Sequence, residues 1–364
     1  MTLPDTMRAV VLMGHGDLDQ LAYRTDWPRP EPSADQVLIK VEACGMNNTD
    51  INTRSGWYSK TVSEATAGGG YEEVDEDDPT WGGAPISLPR IQGADVVGTV
   101  EAVGANADAS LVGKRVMTDN WLRDWDDPLN KDKTGYFGSE ADGGYAEYTV
   151  IDHRNVQAVN SDMSSVELAT FSCSYTTAEG MLSRANVADG DTVLITGASG
   201  GVGSALIQLA KRRGAKVVAM SSESKHAQLA ELNTDVLLPR NVDDLAAELK
   251  KTIGHDKVTV VADVVGGGAF GSLLDVLERG GRYTCSGAIA GPIVDFDLRT
   301  FYLKDITMTG STVVLPHIFE DLVRYIEAGD LRALVAETVP LADFHAGQVA
   351  FVKKSHIGNF VVVP

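Results

Sequence analysis

The chain has 364 residues, 43% of them hydrophobic, which is ample for two globular domains. Its formal net charge of −20 argues against a nucleic-acid partner, because neutralising phosphates requires clustered Lys and Arg. No apolar run approaches the ~20 residues that span a bilayer. The opening MTLPDTMRAVV lacks the parts of a signal peptide, and Cys44, Cys173 and Cys285 are too scattered for a disulfide framework. These features together predict a reduced, cytoplasmic protein with no membrane partner.

The N-terminal part is rich in strands: MRAVVLM, QVLIKVEACG, ADVVGTVEAVG and KRVMTD are short β runs separated by Gly, Pro and Asp turns. Two stretches, 59–90 and 121–144, read as long loops of the kind that usually serve function. The first holds an AGGG run and the acids Glu72, Glu73, Asp75, Glu76, Asp77 and Asp78, which read as a solvated surface or an adaptation to salty surroundings rather than a cation site. Trp57, Trp81, Trp121 and Trp125 lie in or beside these stretches, where they either suit a flat apolar substrate or form the loops' own cores. From about 156 to 312 strands alternate with helical segments. VLLP, a helix over 243–253, VTVVADVVGG, a helix over 270–278, GRYTCSG and ITMTGST predict a parallel sheet covered by helices. A helix near 317–328 and the strand NFVVVP close the chain.

Within the alternating part, residues 192–225 are the most informative. A β-branched run over 192–196 leads into Gly197, Ala198, Ser199, Gly200, Gly201, Val202 and Gly203. A helical apolar period (Val202, Leu206, Leu209, Ala210) follows, ends at Gly214, and gives way to a second strand over 216–220. Glycines let the backbone turn sharply and approach a pyrophosphate, while the free N–H groups and dipole of the helix start hold the phosphates. Set between strand and helix, the turn predicts a dinucleotide site.

With both halves in view, the chain resembles the medium-chain dehydrogenase/reductase superfamily, in its zinc-free quinone-oxidoreductase-like branch. The resemblance rests on EACGMNNTDINTRSGWY, GADVVGTVEAVG, DGGYAEYTV, the glycine turn, DVVGG and HIGNFVVVP. It implies an α/β protein with a GroES-like, β-rich substrate domain from residues 1–157 and 317–364. A Rossmann domain, a doubly wound parallel sheet, would occupy 158–316, with the active site in the cleft between the two. A homodimer or homotetramer is implied as well, paired through an edge strand at 306–314.

Zinc-dependent members hold the metal with two cysteines and a histidine. The resemblance puts Asn47, Ala94 and Cys173 at those positions, and an amide, a methyl and one thiol cannot build that site. The four close cysteines of a structural zinc lobe are missing too. Asp95 and Cys173 with His153 is a remaining combination, set aside in favour of no zinc. Reduction of a conjugated carbonyl or a quinone then suits the chain better than alkoxide chemistry. Asn47 is the implied amide donor and Tyr58 a phenolic proton source, while Thr49 and Asn52 would orient a carbonyl. Each has a plainer alternative: Asn47 holding a turn, Tyr58 packing beside Trp57. Asp50 reads as a carboxylate serving backbone N–H groups, and Cys173 as a small buried residue.

For the cofactor, an NAD-specific fold ends its second strand with Asp or Glu on the ribose hydroxyls. Here Ser221 and Ser222 stand at that position and Lys225 follows, which suits the 2′-phosphate of NADPH better than NADH. Arg240 lies where related proteins add a phosphate contact, and Val265 of DVVGG joins the implied cofactor set. Glu223 would serve NAD if the strand ran further. Two alternatives remain beside a quinone or enone reductase with a small-molecule substrate: an alcohol or aldehyde dehydrogenase, and a non-catalytic, crystallin-like NADPH-binding protein.

Overall fold

The computed structural model describes residues 3–71 and 85–364, so the acidic run and Trp81 lie outside the described residues. Two compact units form: Met1–Val62, Ala67–Cys173 and Leu315–Pro364 in the first, Ser63–Thr66 and Ser174–Val314 in the second.

The first unit begins with β1 (Thr6–Leu12), β2 (Leu21–Pro28) and β3 (Gln36–Met46). Helix α1 (Asn48–Ser55) starts at Asn47, whose N–H is taken by the Asp50 carboxylate one turn on, and stops at Gly56, left-handed at φ 78°. Then come β4 (Arg90–Ile91), β5 (Asp95–Val103), β6 (Arg115–Thr118), β7 (Trp121–Leu122), β8 (Gly135–Tyr136), β9 (Tyr148–Asp152) and β10 (Val156–Ala158). The 121–144 stretch is therefore more ordered than the loop expected from sequence. β7 pairs with β8, and Trp121 packs edge-on against Tyr136 with ring centroids 5.2 Å apart. Strands of two residues are too short to show a period. Helices α2 (Ser165–Leu168) and α3 (Ser172–Arg184) follow.

In the second unit β11 (Thr192–Ile195), α4 (Gly201–Arg212), β12 (Lys216–Ser221), α5 (His226–Ala230), β13 (Val236–Pro239), α6 (Leu245–Ile253), β14 (Val258–Asp263), α7 (Phe270–Asp275), β15 (Leu277–Cys285), α8 (Leu298–Leu303) and β16 (Thr307–Gly310) alternate. All six strands are parallel, in the order β13-β12-β11-β14-β15-β16. This is the doubly wound arrangement in which ligands meet the carboxyl ends of the strands near β11 and β14. The helix expected over 270–278 stops earlier, because Leu277 is already paired with Val258 in the sheet. The core gathers Leu194, Val218, Leu238, Val261, Leu274 and Tyr283.

The chain then returns to the first unit with α9 (Pro316–Glu327), β17 (Val335–Pro340), α10 (Phe344–Val352) and β18 (Asn359–Val363). Its main sheet has seven strands, ordered β10-β6-β5-β3-β18-β17 with β9 also on β3, so the two ends of the chain meet at the β3–β18 pairing. Among the described residues no helix is long and apolar enough to cross a membrane.

Candidate active site

The end of β3, the start of α1, the start of β5, the β7–β8 hairpin and the start of α3 bring a set of polar side chains together. Asn47, mostly buried, donates through Nδ2 to Asp95 Oδ2 at 2.9 Å. The other Asp95 oxygen accepts the Cys173 backbone N–H at 2.8 Å. Asp50 accepts from the Asn47 backbone N–H at 2.8 Å and from the Tyr145 hydroxyl at 2.6 Å, which bears out its reading as a carboxylate that serves backbone. Tyr58, half-buried, donates to Thr49 Oγ1 at 3.2 Å and also bonds the Asn52 side chain. Thr49 and Asn52 thus direct the phenol. The buried Asn52 Oδ1 has no partner among the described residues, which leaves an acceptor for a further group.

Two residues that sequence reasoning passed over complete the cluster. Tyr136 donates to Cys173 Sγ at 3.2 Å and accepts from Asn120 Nδ2 at 3.2 Å. Tyr145 backs Asp50. Neither carries a local signal, since each reaches its partner from another strand.

Burial governs the electrostatics. It pushes Asp95 up to about 7, against the pull of the Asn47 amide and the Cys173 N–H. It pushes Asp50 to about 6, against Tyr145 and the Asn47 N–H. Both carboxylates are held by N–H and O–H donors rather than by a cation, so each gains less than an ion pair would give. Burial likewise lifts the Tyr58 phenol to about 12, which keeps it protonated at neutral pH.

The donor set does not fit a zinc ion. The amide at Asn47 spends an N–H on Asp95, Ala94 offers a methyl, and Cys173 Sγ already accepts from Tyr136. His153 sits instead in the turn after β9, its N–H on Asp35 O at 2.9 Å. Among the described residues no three His, Cys, Asp or Glu side chains are gathered as metal ligands.

In the second unit the glycine turn has the features that a pyrophosphate requires. Gly197 is left-handed at φ 57°. A Cβ on Gly203 would lie 2.3 Å from Gly197 O, so only glycine lets the helix pack on the turn. At Gly200 a Cβ would meet nothing nearer than 3.6 Å, which leaves the approach open. Gly200 caps α4 without a side-chain bond, and the first-turn N–H groups keep their dipole for an anion. Ala198, Ser199, Gly201 and Val202 complete the turn, and Lys225 Nζ donates to Ser199 Oγ at 3.1 Å.

β12 ends at buried Ser221. Ser222 precedes a short 3-10 turn in which Glu223 is exposed, so the strand does not extend to Glu223. Burial, and then the charge of Arg240, lowers the pKa of Lys225, and the two cations follow the ends of the neighbouring strands β12 and β13. Two cations past adjacent strand ends suit a doubly charged phosphate. Val265 lies two residues past the C-terminal end of β14 and donates its N–H to Asp263 Oδ1 at 2.8 Å. Asp263, a residue not anticipated from sequence, also takes the Thr196 hydroxyl at 2.5 Å and the Tyr283 hydroxyl at 2.7 Å. It therefore ties the entry to the glycine turn to the Val265 loop.

Comparison with known proteins agrees with both units. Residues 33–161 match the alcohol dehydrogenase GroES-like domain, and residues 201–328 match the zinc-binding dehydrogenase domain. An acryloyl-coenzyme A reductase from Sulfurisphaera tokodaii is 27% identical, over 98% of this chain and 100% of its own. The human quinone oxidoreductase is 28% identical, over 92% of this chain and 91% of its own. Among solved structures, a putative alcohol dehydrogenase from Sinorhizobium meliloti 1021 is 44% identical with a TM-score of 0.90, covering 100% of this chain and 98% of that one.

Proposed function

The chain belongs to the medium-chain dehydrogenase/reductase superfamily and is an oxidoreductase on an NAD(P)-binding fold, and from that premise we propose that it reduces a quinone or an α,β-unsaturated carbonyl with NADPH and without zinc. The observation that carries this reading is the substitution of a hydrogen-bond network for metal ligands around Asn47, Asp95 and Cys173. Without a Lewis acid, an acceptor whose negative charge spreads over a conjugated system is the easier substrate. Two relatives point the same way by name, one reducing acryloyl-coenzyme A and one a quinone.

NADPH, when bound, supplies the hydride. Gly197 to Gly203 would hold its pyrophosphate, Lys225 and Arg240 its 2′-phosphate, with Ser221 and Ser222 leaving room where an acid would repel it. Val265 would line the nicotinamide side. In the first unit Tyr58, steered by Thr49 and Asn52, donates its proton to the enolate or phenolate product. The phenolate left behind is reprotonated from solvent. The Asn47 amide, fixed by Asp95, supplies a second N–H to the developing oxyanion.

The alcohol-dehydrogenase reading is favoured by the name of the Sinorhizobium structure. The deciding experiment follows NADPH and NADH oxidation against quinones, enones and aldehydes with and without chelator. Turnover of quinones or enones, faster with NADPH and insensitive to chelator, supports the proposal. Turnover confined to aldehydes and lost with chelator supports the alternative.

The proposal extends to a homodimer acting in the cytoplasm. Among the described residues β16 pairs on one side only, with β15, and Leu298, Tyr302 and Leu303 stand exposed just before it. A second copy adding its own β16 would cover that edge. Light scattering would read a mass twice that of the chain, and a monomer mass would count against it.

A further inference from the structure

Arg54, the last residue but one of α1, is fully buried and, among the described residues, has no carboxylate within hydrogen-bond reach. Its guanidinium instead collects three neutral oxygens from three segments: Gly16 O at 2.5 Å, Gly68 O at 2.6 Å and Gln348 Oε1 at 3.2 Å. The Gly16 N–H returns a bond to Arg54 O at 2.8 Å. Burying a charge without a counter-ion is costly, and the planar fork is the group that can satisfy such a fan of acceptors. Burial lowers the pKa of Arg54, opposed by the more distant charges of Asp17 and Asp19.

The AGGG run explains what the fork holds. A Cβ on Gly70 would lie 2.7 Å from the Gly16 Cα, where only backbone could yield, and one on Gly68 would press on Val352 at 3.1 Å. Gly70 N–H also donates to Asp17 Oδ1 at 2.9 Å, and Ala67 N–H to the Tyr71 hydroxyl at 3.1 Å. The run is a strap laid flat on the Gly16–Asp17 turn, and its side-chain-free backbone is what permits the contact. The bond from Arg54 to Gly68 spans 14 positions and closes a loop that starts at the end of α1 and carries Tyr58 near its first anchor.

We propose that Arg54 is a positioning residue that clasps this loop at both ends and thereby sets the seat of Tyr58 and the fit of the substrate. This rests on the reductase reading for its kinetic part alone. The test compares R54K, R54A and G70A with the wild-type full chain by hydrogen exchange of amides 67–71, NADPH affinity, and kcat and KM for an enone and a quinone. A lysine's three donors radiate from one nitrogen and do not match acceptors met separately by Nε, Nη1 and Nη2, and G70A lifts the strap while leaving the guanidinium intact.

The expected result is faster exchange at 67–71 in R54K and G70A, with kcat/KM down about tenfold. NADPH affinity stays within about twofold of wild type, because the bonds made by Arg54 and by the 67–71 strap go to Gly16, Asp17, Gly68, Tyr71 and Gln348 and none to the glycine turn. Guanidinium ion restores both exchange protection and kcat/KM to R54A. Unchanged exchange in folded G70A overturns the proposal, as does lost protection with unmoved kcat/KM, or a fall in NADPH affinity that matches the fall in kcat/KM. If the wild type turns over neither substrate, the reductase reading fails. The clasp is then judged on exchange alone, supported by lost protection and overturned by its retention.

Discussion

Asn47 Nδ2 and Asp95 Oδ2, from residues 48 positions apart, are joined by a 2.9 Å hydrogen bond at the heart of the candidate site. The bond spends one amide N–H, and in the proposed reaction the other serves the substrate. It requires an accepting oxygen, and burial raises the Asp95 pKa to about 7. Below that pH the protonated carboxyl carries an O–H that competes for its own acceptors. We therefore predict that kcat/KM rises with pH through about 7 and that D95N flattens this limb, at a cost of about tenfold in rate at pH 8. A pH–rate profile checks it, and an unchanged inflection in D95N would assign the group elsewhere.

The same residue predicts a stability trend. The native pKa lies above the ordinary carboxylate value of 3.8, so between about 4 and about 7 the folded protein holds more protons than the unfolded one. Stability contributed through Asp95 is then greatest at the acid end of that window and falls as pH rises across it. Asp50, pushed to about 6, adds in the same sense. Thermal melts from pH 5 to 8 should show Tm declining by several degrees, with the decline shallower in D95N.

Tyr58 is aimed by Thr49 and Asn52 and kept protonated by burial to about pH 12. Y58F should lower kcat about 100-fold while changing KM little, since the lost proton donor matters mainly in the transition state. T49V should fall between wild type and Y58F. Steady-state kinetics on an enone distinguishes this from a packing role, for which KM would move and kcat would not.

Lys225 and Arg240 follow the ends of the paired strands β12 and β13, and the charge of Arg240 helps lower the pKa of Lys225. K225A and R240A should each weaken NADPH binding by about 10-fold while leaving NADH within about twofold, because a charge-assisted bond to the 2′-phosphate is lost in the first case alone. S221D should reverse the preference. Fluorescence titration with both cofactors measures this, and equal losses for the two would show that the cations do not touch a 2′-phosphate.

What could be read from sequence was read where cause and effect are close along the chain. The strand, glycine turn, helix and second strand over 192–221 follow from local periodicity and from the steric needs of Gly197 and Gly203. The parallel alternation of the second unit follows from the same local patterns. Helix α1 was not anticipated, although the Asn47–Asp50 capping pair and Gly56 mark its two ends within a few residues. The strap's purpose was not legible, because AGGG is uninformative until Gly16 is packed beneath it. The β7–β8 hairpin was missed for want of enough residues to show an alternation.

The amino-acid sequence by itself determined the local elements, the nucleotide turn and the residue types at the metal positions, since backbone sterics and side-chain chemistry act over a few residues. Tertiary structure alone decided that Asn47 bonds Asp95, that Tyr136 bonds Cys173, that Asp263 joins three strand ends, and that Arg54 clasps Gly68. Each of these is a hydrogen bond between distant positions, given value by burial. Burial belongs to the packed whole, because it arises only when sheets and helices from separate segments exclude water from the same place.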